Sequence, residues 1–368
     1  MQDYIIKQLP PKQTLETTRV LKKLAKAHRY LAELKGISAT IPNESILINT
    51  LSMQEAKDSS EIESIITTHD ELFKTDIFLD PVKNPAAKEV KNYVRALKKG
   101  FALVKSKKII TNNDILEIHQ EVKQNNAGFR KIAGTELKNQ YTNQIVYTPP
   151  QKHEDILTLM KNLESYINDD SLSEVDCLIK MAVVHFQFES IHPFYDGNGR
   201  MGRIINVIYL VIKDLLDLPI LYLSRYITSN KADYYRLLQQ VRDQNLWEPW
   251  IIYNLDAVIS VSKQTILIIN NIKKLMMEYK HAIRSKHPKI YSQDLLNNIF
   301  CHPYTKIGFV QDELKVSRIT ATKYLDTLSK SGFLIENRIG KYKYYINPAL
   351  VELLSNIPNE LNNQISQE

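Results

Sequence analysis

Cysteine is almost missing from this chain. Cys177 and Cys301 are the two in 368 residues, far apart and outside any CxxC, so neither a disulfide framework nor a structural zinc site is indicated. Glycine is scarce as well, 10 in all, which makes any local concentration of it informative. No apolar run approaches the roughly 20 residues a spanning helix needs. The richest, Ile204 to Ile212, is interrupted by Asn206 and stopped by Lys213-Asp214, and the N-terminus has no signal-type apolar stretch. These absences set the expectation of a protein of the reducing cytoplasm without a membrane partner. A strong excess of one charge is also lacking. The formal +7 is modest for this length and does not by itself argue for nucleic acid.

What is present is an ordinary globular composition, 43% hydrophobic and 24% charged, in a chain long enough for two or three domains. Frequent Leu, Ile, Lys and Glu predict a mainly helical protein. Residues 1–90 read as an N-terminal helical region in which Asn84-Pro85 marks a fresh helix start. Residues 91–263 read as a helical core with one exception. From Gly134 to Tyr147, β-branched and aromatic residues flank the polar turn Tyr141-Thr-Asn-Gln144, a hairpin ended by Pro149-Pro150. A connecting helix is expected over 264–285, and a different domain over 286–354. There Ser317 reads as a helix N-cap, Leu325 and Leu328 as a buried face and Gly332 as a stop, before two strands around Gly340. That order resembles a winged helix-turn-helix. A polar tail, 355–368, is expected to fray.

Three of the glycines, Gly197, Gly199 and Gly202, fall within six residues and are interleaved with Arg200 and Arg203. Glycine lets main-chain N–H groups approach an anion, and a helix opening there adds the positive end of its dipole. The arginines, at i and i+3 of the first turn, project to the same side. Together they describe a polyphosphate cradle. Gly197 to Gly202 also satisfies GxGxxG, with Asp217 about 20 residues on, as a dinucleotide site would. That reading needs a strand before the glycines. The preceding apolar residues, Val175, Leu178, Ile179, Ala182, Val183 and Phe186, have helical spacing instead. Just upstream, His192 can accept a proton near neutral pH, Asp196 is suited to hold Mg²⁺, and Phe194 can anchor the loop.

The run from His192 to Arg203 fits the motif HxFx(D/E)GNGRxxR at each specified position, and by it the chain resembles the Fic family. The resemblance implies a helical Fic core with a β-hairpin flap, an N-terminal helical region and a C-terminal winged helix. It also implies transfer of AMP from ATP, with Mg²⁺, to a Ser, Thr or Tyr hydroxyl of a target protein or of the enzyme itself. His192 would be the base, Phe194 the anchor and Asp196 the metal ligand. Gly197, Asn198 and Gly199 would form the anion hole. Arg200 and Arg203 would meet the β- and γ-phosphates, with Met201 and Gly202 between them. The flap, with Gly134, Thr135, Ile145, Val146 and Tyr147, would hold the target segment, and Tyr235 would face adenine.

Ser59-Ser-Glu-Ile-Glu63-Ser64 resembles the inhibitory helix (S/T)xxxE(G/N) of one class of the family, expected here at about 57–69. By that resemblance Glu63 pairs with Arg203 and takes the place of the γ-phosphate. Ser64 departs from the pattern, which has Gly or Asn. Two alternatives stand beside autoinhibited transfer: removal of AMP by the same residues, and a DNA-binding regulator whose core senses nucleotide. The implied partners are a hydroxyl-bearing target protein, a second copy of the chain, and DNA. For DNA, Arg318, Thr320, Thr322 and Lys323 lie on the recognition helix and Arg338, Lys341 and Lys343 in the wing. Residues Lys286 to Asn347 contain ten Lys/Arg against five Asp/Glu.

Overall fold

The computed structural model describes residues 5–77, 84–138, 142–339 and 342–355. The hairpin tip at Tyr141, wing residues Gly340 and Lys341, and most of the expected tail lie outside them. The chain opens with α1 (Thr18–Ser38), α2 (Glu44–Ile62), α3 (His69–Ile77), α4 (Pro85–Lys107) and α5 (Asn112–Lys123). A short hairpin, β1 (Leu137–Lys138) and β2 (Ile145–Tyr147), precedes α6 (His153–Asn168), α7 (Cys177–Ile191) and α8 (Asn198–Ile212). Then come α9 (Ser224–Ser229), α10 (Lys231–Gln244) and the 40-residue α11 (Trp247–Lys286). The last segment holds α12 (Gln293–Cys301), β3 (Tyr304–Thr305), α13 (Ile307–Leu314), α14 (Arg318–Lys330), β4 (Ile335–Ile339) and β5 (Tyr342–Ile346). The fold is mainly helical, as the composition predicts.

Two compact units are assembled from interleaved stretches: Met1–Ala32, Asp58–Ile65 and Asn92–Val261 in one, Glu33–Lys57, Ile66–Lys91 and Ser262–Glu368 in the other. The units do not follow the contiguous segments read from the sequence. Helices run through the expected boundaries: α4 crosses 90/91, and α11 continues through 263/264 with no glycine or proline to end it. By length and composition alone α11 is also apolar enough to cross a membrane, contrary to the sequence expectation. However, 56% of its most apolar window is buried inside the protein. Trp250, Ile251 and Leu255 lie in the core of the first unit, and Ile269 and Ile272 in that of the second.

The first unit is built around α7 and α8. Every residue of α7 from Leu178 to Ile191 is buried, the mark of a helix covered on all sides, and α8 is buried from Met201 onward. Fully burying a Phe such as Phe186 or Phe188 is worth roughly 2–3 kcal/mol, so these two helices are a rigid base. The loop that joins them, 192–197, carries the motif. On one side stands α5, whose N-terminus is fixed by a Thr111/Asp114 capping box.

In the second unit α12, α13 and α14 alternate with a three-stranded antiparallel sheet ordered β3-β5-β4, the order of a winged helix. Leu296, Ile299, Val310, Ala321, Leu325 and Leu328 form its core with Tyr344 and Tyr345. Ser317 caps α14 by accepting from the Thr320 N–H.

Candidate active site

His192 closes α7. Its N–H donates to the Phe188 carbonyl, and its backbone is left-handed, φ 48°, which turns the chain sharply out of the helix. Burial pushes its imidazole down to about 4, assisted by the positive charges of Arg130 and Arg242. The ring is therefore neutral at pH 7. Its Nδ1 is buried, and the Glu189 carbonyl one turn back is the main-chain acceptor acting on it, at a geometry too loose for a full hydrogen bond. Arg130 fixes the loop from below: its Nε donates to the His192 carbonyl at 2.9 Å, its Nη2 to the carbonyls of Pro150 and Ile191, and its N–H to Pro193. One guanidinium thereby ties the end of the hairpin to the turn that bears His192.

Phe194 is fully buried, its ring stacked on that of His119 at 3.6 Å and 2°. Burial holds the His119 ring below its usual pKa, and its Nε2 lies 2.9 Å from the Asp196 carbonyl. Asn198 spends its side chain on closing the loop: Oδ1 accepts from the Phe194 N–H and Nδ2 donates to the Phe194 carbonyl, both at 2.8 Å. Its contribution to an anion hole is thus limited to its main chain. Gly197, φ 81°, precedes α8 and provides no side-chain cap, which leaves the first N–H groups of that helix open to an anion.

Arg200 and Arg203 are both buried, 1% and 2% exposed, and an anion already sits between them. Glu63 Oε1 lies 2.9 Å from Arg203 Nη2, and Oε2 lies 2.8 Å from Arg200 Nε, an ion pair without good hydrogen-bond alignment. Ser59 completes the arrangement: Arg203 Nε donates to its hydroxyl at 2.7 Å and Nη2 to its carbonyl at 3.0 Å. A Cβ on Gly199 would stand 2.8 Å from the Glu63 carboxylate, so only glycine admits this close approach. A Cβ on Gly202 would meet Glu189 Oε1 at 2.6 Å. Met201 is wholly buried and belongs to the core.

Glu63 is delivered by the end of α2. The helix stops at Ile62, and the Ile65 N–H returns to the Ser60 carbonyl while Ser64 adopts a left-handed φ of 65°. Lys231 Nζ donates to the Ile62 carbonyl at 2.6 Å, and Arg225 pairs with Asp58 at 3.2 Å. Asp196, largely exposed, pairs with Lys123 at 2.5 Å. Although burial acts to raise its pKa, that ammonium and Arg200 hold the carboxyl below the usual range. A cation beside the cradle is what this carboxylate accepts, so its chemistry fits Mg²⁺.

The hairpin pairs Leu137 with Tyr147 and Lys138 with Ile145, with an irregularity between. Ile145 and Val146 are exposed, while Tyr147 is buried with its hydroxyl donating to the Ser190 carbonyl and Arg242 4.0 Å over its ring. Gly134, φ 107°, donates to the Gln151 side chain, which in turn donates to the Thr135 carbonyl. Tyr235 is half exposed, with the charges of Arg203 and Glu63 acting on it. Its neighbour Tyr234 is buried against His185 Nε2 at 2.8 Å.

Sequence reading missed Arg130, His119, Lys123, Glu189 and the Arg200–Glu63 pair. Only Glu189 gave a local sign, as the one carboxylate within the helix Cys177–Ile191, three residues before His192.

Three family models match the chain: Fic/DOC family N-terminal over residues 21–102, Fic/DOC family over 109–210, and protein adenylyltransferase SoFic-like, C-terminal domain, over 275–350. A probable protein adenylyltransferase of Aquifex aeolicus (strain VF5) is 27% identical over 187 residues, 50% of this chain and 55% of that protein. The protein adenylyltransferase Fic of Drosophila erecta is 32% identical over 96 residues, 26% of this chain and 19% of the fly protein. The chain thus spans about half of the bacterial relative and about a fifth of the insect one. A solved Fic family protein from Desulfovibrio desulfuricans G20 has a similar fold, with TM-score 0.58 and 17% identity, over 92% of this chain and 98% of that one.

Proposed function

Because the chain belongs to the Fic/DOC family, we propose that it is a protein adenylyltransferase that moves AMP from ATP to a Ser, Thr or Tyr hydroxyl, held off by Glu63. One observation supports this above the others: two buried arginines beside Gly199 and an open helix N-terminus already grip an oxyanion, the Glu63 carboxylate. A carboxylate and a terminal phosphate compete for the same guanidinium donors, strongly so where water is excluded. With Glu63 withdrawn, Arg200 and Arg203 take the β- and γ-phosphates, and the N–H groups at the start of α8 take oxyanions nearby.

The exposed Ile145–Val146 strand pairs with an extended segment of the target and sets its hydroxyl before His192. The neutral imidazole accepts the hydroxyl proton. The freed oxygen bonds to the α-phosphorus as the bond from that phosphorus to the departing pyrophosphate breaks. Negative charge of the bound triphosphate raises the pKa of the imidazole and strengthens it as a base. Asp196 would hold Mg²⁺, which neutralises triphosphate charge, and Lys123 must leave that carboxylate first.

The test is incubation with ATP labelled at the α-phosphate and Mg²⁺, followed by a search for label on protein. Strong labelling is expected for Glu63→Gly, little for the unaltered chain and none for His192→Ala. A Glu63→Gly variant that labels neither itself nor a lysate defeats the proposal. Removal of AMP, with Glu63 orienting a water, would instead appear as label lost from a pre-labelled protein only while Glu63 is intact.

A further inference from the structure

We propose that the winged-helix segment of the second unit binds duplex DNA through one face of α14, with a helix laid in the major groove. The segment from Lys286 to Asn347 has twice as many basic as acidic residues, and folding distributes them unevenly. Asp326 and Glu336 are engaged with Lys343 and Arg338, and Glu313 with His302. Of the wing cations read from the sequence, Arg338 and Lys343 are thus neutralised within the domain. Lys315, Arg318, Lys323 and Lys330 have no ion pair among the described residues and are all exposed, against Asp294 and Asp312 as the acids left unpaired.

On α14, Ile319, Lys323 and Lys330 follow one another at four and seven residues and share a face opposite the buried Ala321, Leu325 and Leu328, while Arg318 opens the first turn about 100° round the helix from Ile319 and Lys315 ends the preceding helix. Ile319 is 83% exposed, the most exposed large apolar side chain in the described structure. Folding gains nothing from an isoleucine there, whereas the methyl group of thymine offers an apolar partner on a major-groove edge. Cations flanking an apolar tip near the N-terminal end of a helix suit a phosphate-lined groove, and the positive end of the helix dipole adds to the attraction. Thr320 and Thr322 contribute less than the sequence suggested: the Thr320 hydroxyl meets Ser317 at the cap, and the Thr322 hydroxyl donates to the Arg318 carbonyl. This site is independent of AMP transfer.

The experiment uses the full chain and fluorescence anisotropy with a labelled 24-base-pair mixed-sequence DNA duplex, titrated between 50 and 300 mM NaCl. Binding is expected at low salt and is expected to weaken with a log–log slope of about −3, one increment per neutralised phosphate. Arg318→Ala/Lys323→Ala is expected to bind roughly tenfold more weakly with a slope shallower by about two. Ile319→Asp, which sets a negative charge on the same face, is also expected to lose binding, and both variants should melt as the unaltered chain does. His192→Ala should bind DNA unchanged. An RNA duplex of the same sequence should bind more weakly, because its deep, narrow major groove does not admit a helix. Absence of binding at 50 mM NaCl, equal binding by the double variant, or equal affinity for the RNA duplex overturns the proposal.

Discussion

Three residues before His192, Glu189 lies buried on α7 with Oε1 lacking a hydrogen-bond partner and 2.6 Å from where a Cβ on Gly202 would stand. Burial raises its pKa to about 7, and the Glu63 charge adds to the rise while Arg203 opposes it. The folded protein therefore retains a proton that the unfolded chain has already lost. Stability from this group is complete below the ordinary glutamate range near 4.5 and is lost as pH rises through 7. Glu189→Gln, neutral at every pH, should melt above the unaltered protein at pH 8 by an amount bounded by roughly 3 kcal/mol, with the gap narrowing toward pH 5. Thermal melts at both values decide this, and a gap independent of pH would refute it. The comparison also shows what kind of residue a sequence reveals. His192 to Arg203 were legible because their chemistry is contiguous. Arg130, His119 and Lys123 lie 60 or more positions away from the loop they hold and act through a carbonyl, a ring face and a single carboxylate oxygen, none of which leaves a spacing pattern.

At the scale of an element, the last turn of α2 decides how firmly Glu63 is presented. The family pattern has Gly or Asn after the glutamate, and here Ser64 takes that place with φ 65°, in the region that penalises a Cβ. The backbone geometry accounts for the pattern: the Ile65 N–H can return to Ser60 only if the intervening residue turns left-handed. Ser64→Gly removes about 1 kcal/mol of strain, partly offset by the freedom glycine has in the unfolded chain. It should raise the melting temperature slightly and lower the residual AMP labelling of the Glu63-containing protein up to about fivefold. Labelling that rises instead would mean the turn does not govern the carboxylate. The site hairpin was readable from its β-branched residues: among the described residues Leu137 pairs with Tyr147 and Lys138 with Ile145, the register slipping between them, while the Tyr147 hydroxyl donates inward to the Ser190 carbonyl.

Across the molecule, the helical class and the two strands after α14 were legible, and the make-up of the two compact units was not. Periodicity shows where a helix exists, but not which of its turns belongs to which core. Val20, Leu24, Ala27 and Leu31 of α1 are buried in the same unit as the motif, and Phe73 of α3 packs on Tyr304 at 5.3 Å in the other. A chain started at Lys91, where the sequence suggests a boundary, should therefore lose cooperative melting by calorimetry, although the motif is intact. Each deleted core side chain forfeits roughly 2–5 kcal/mol, more in sum than a typical domain can spare. A sharp transition near that of the full chain would contradict this.

The carboxylate between Arg200 and Arg203 has one more property, set by its covalent connection to the chain. A tethered ligand has an effective concentration fixed by geometry, in the millimolar range or above for a short connection, and dilution of the protein does not lower it. On the proposed reading, ATP must outcompete an inhibitor that can never diffuse away. The active fraction then follows the abundance of nucleotide and not the concentration of enzyme, so that overproduction alone would not relieve the inhibition of any one molecule.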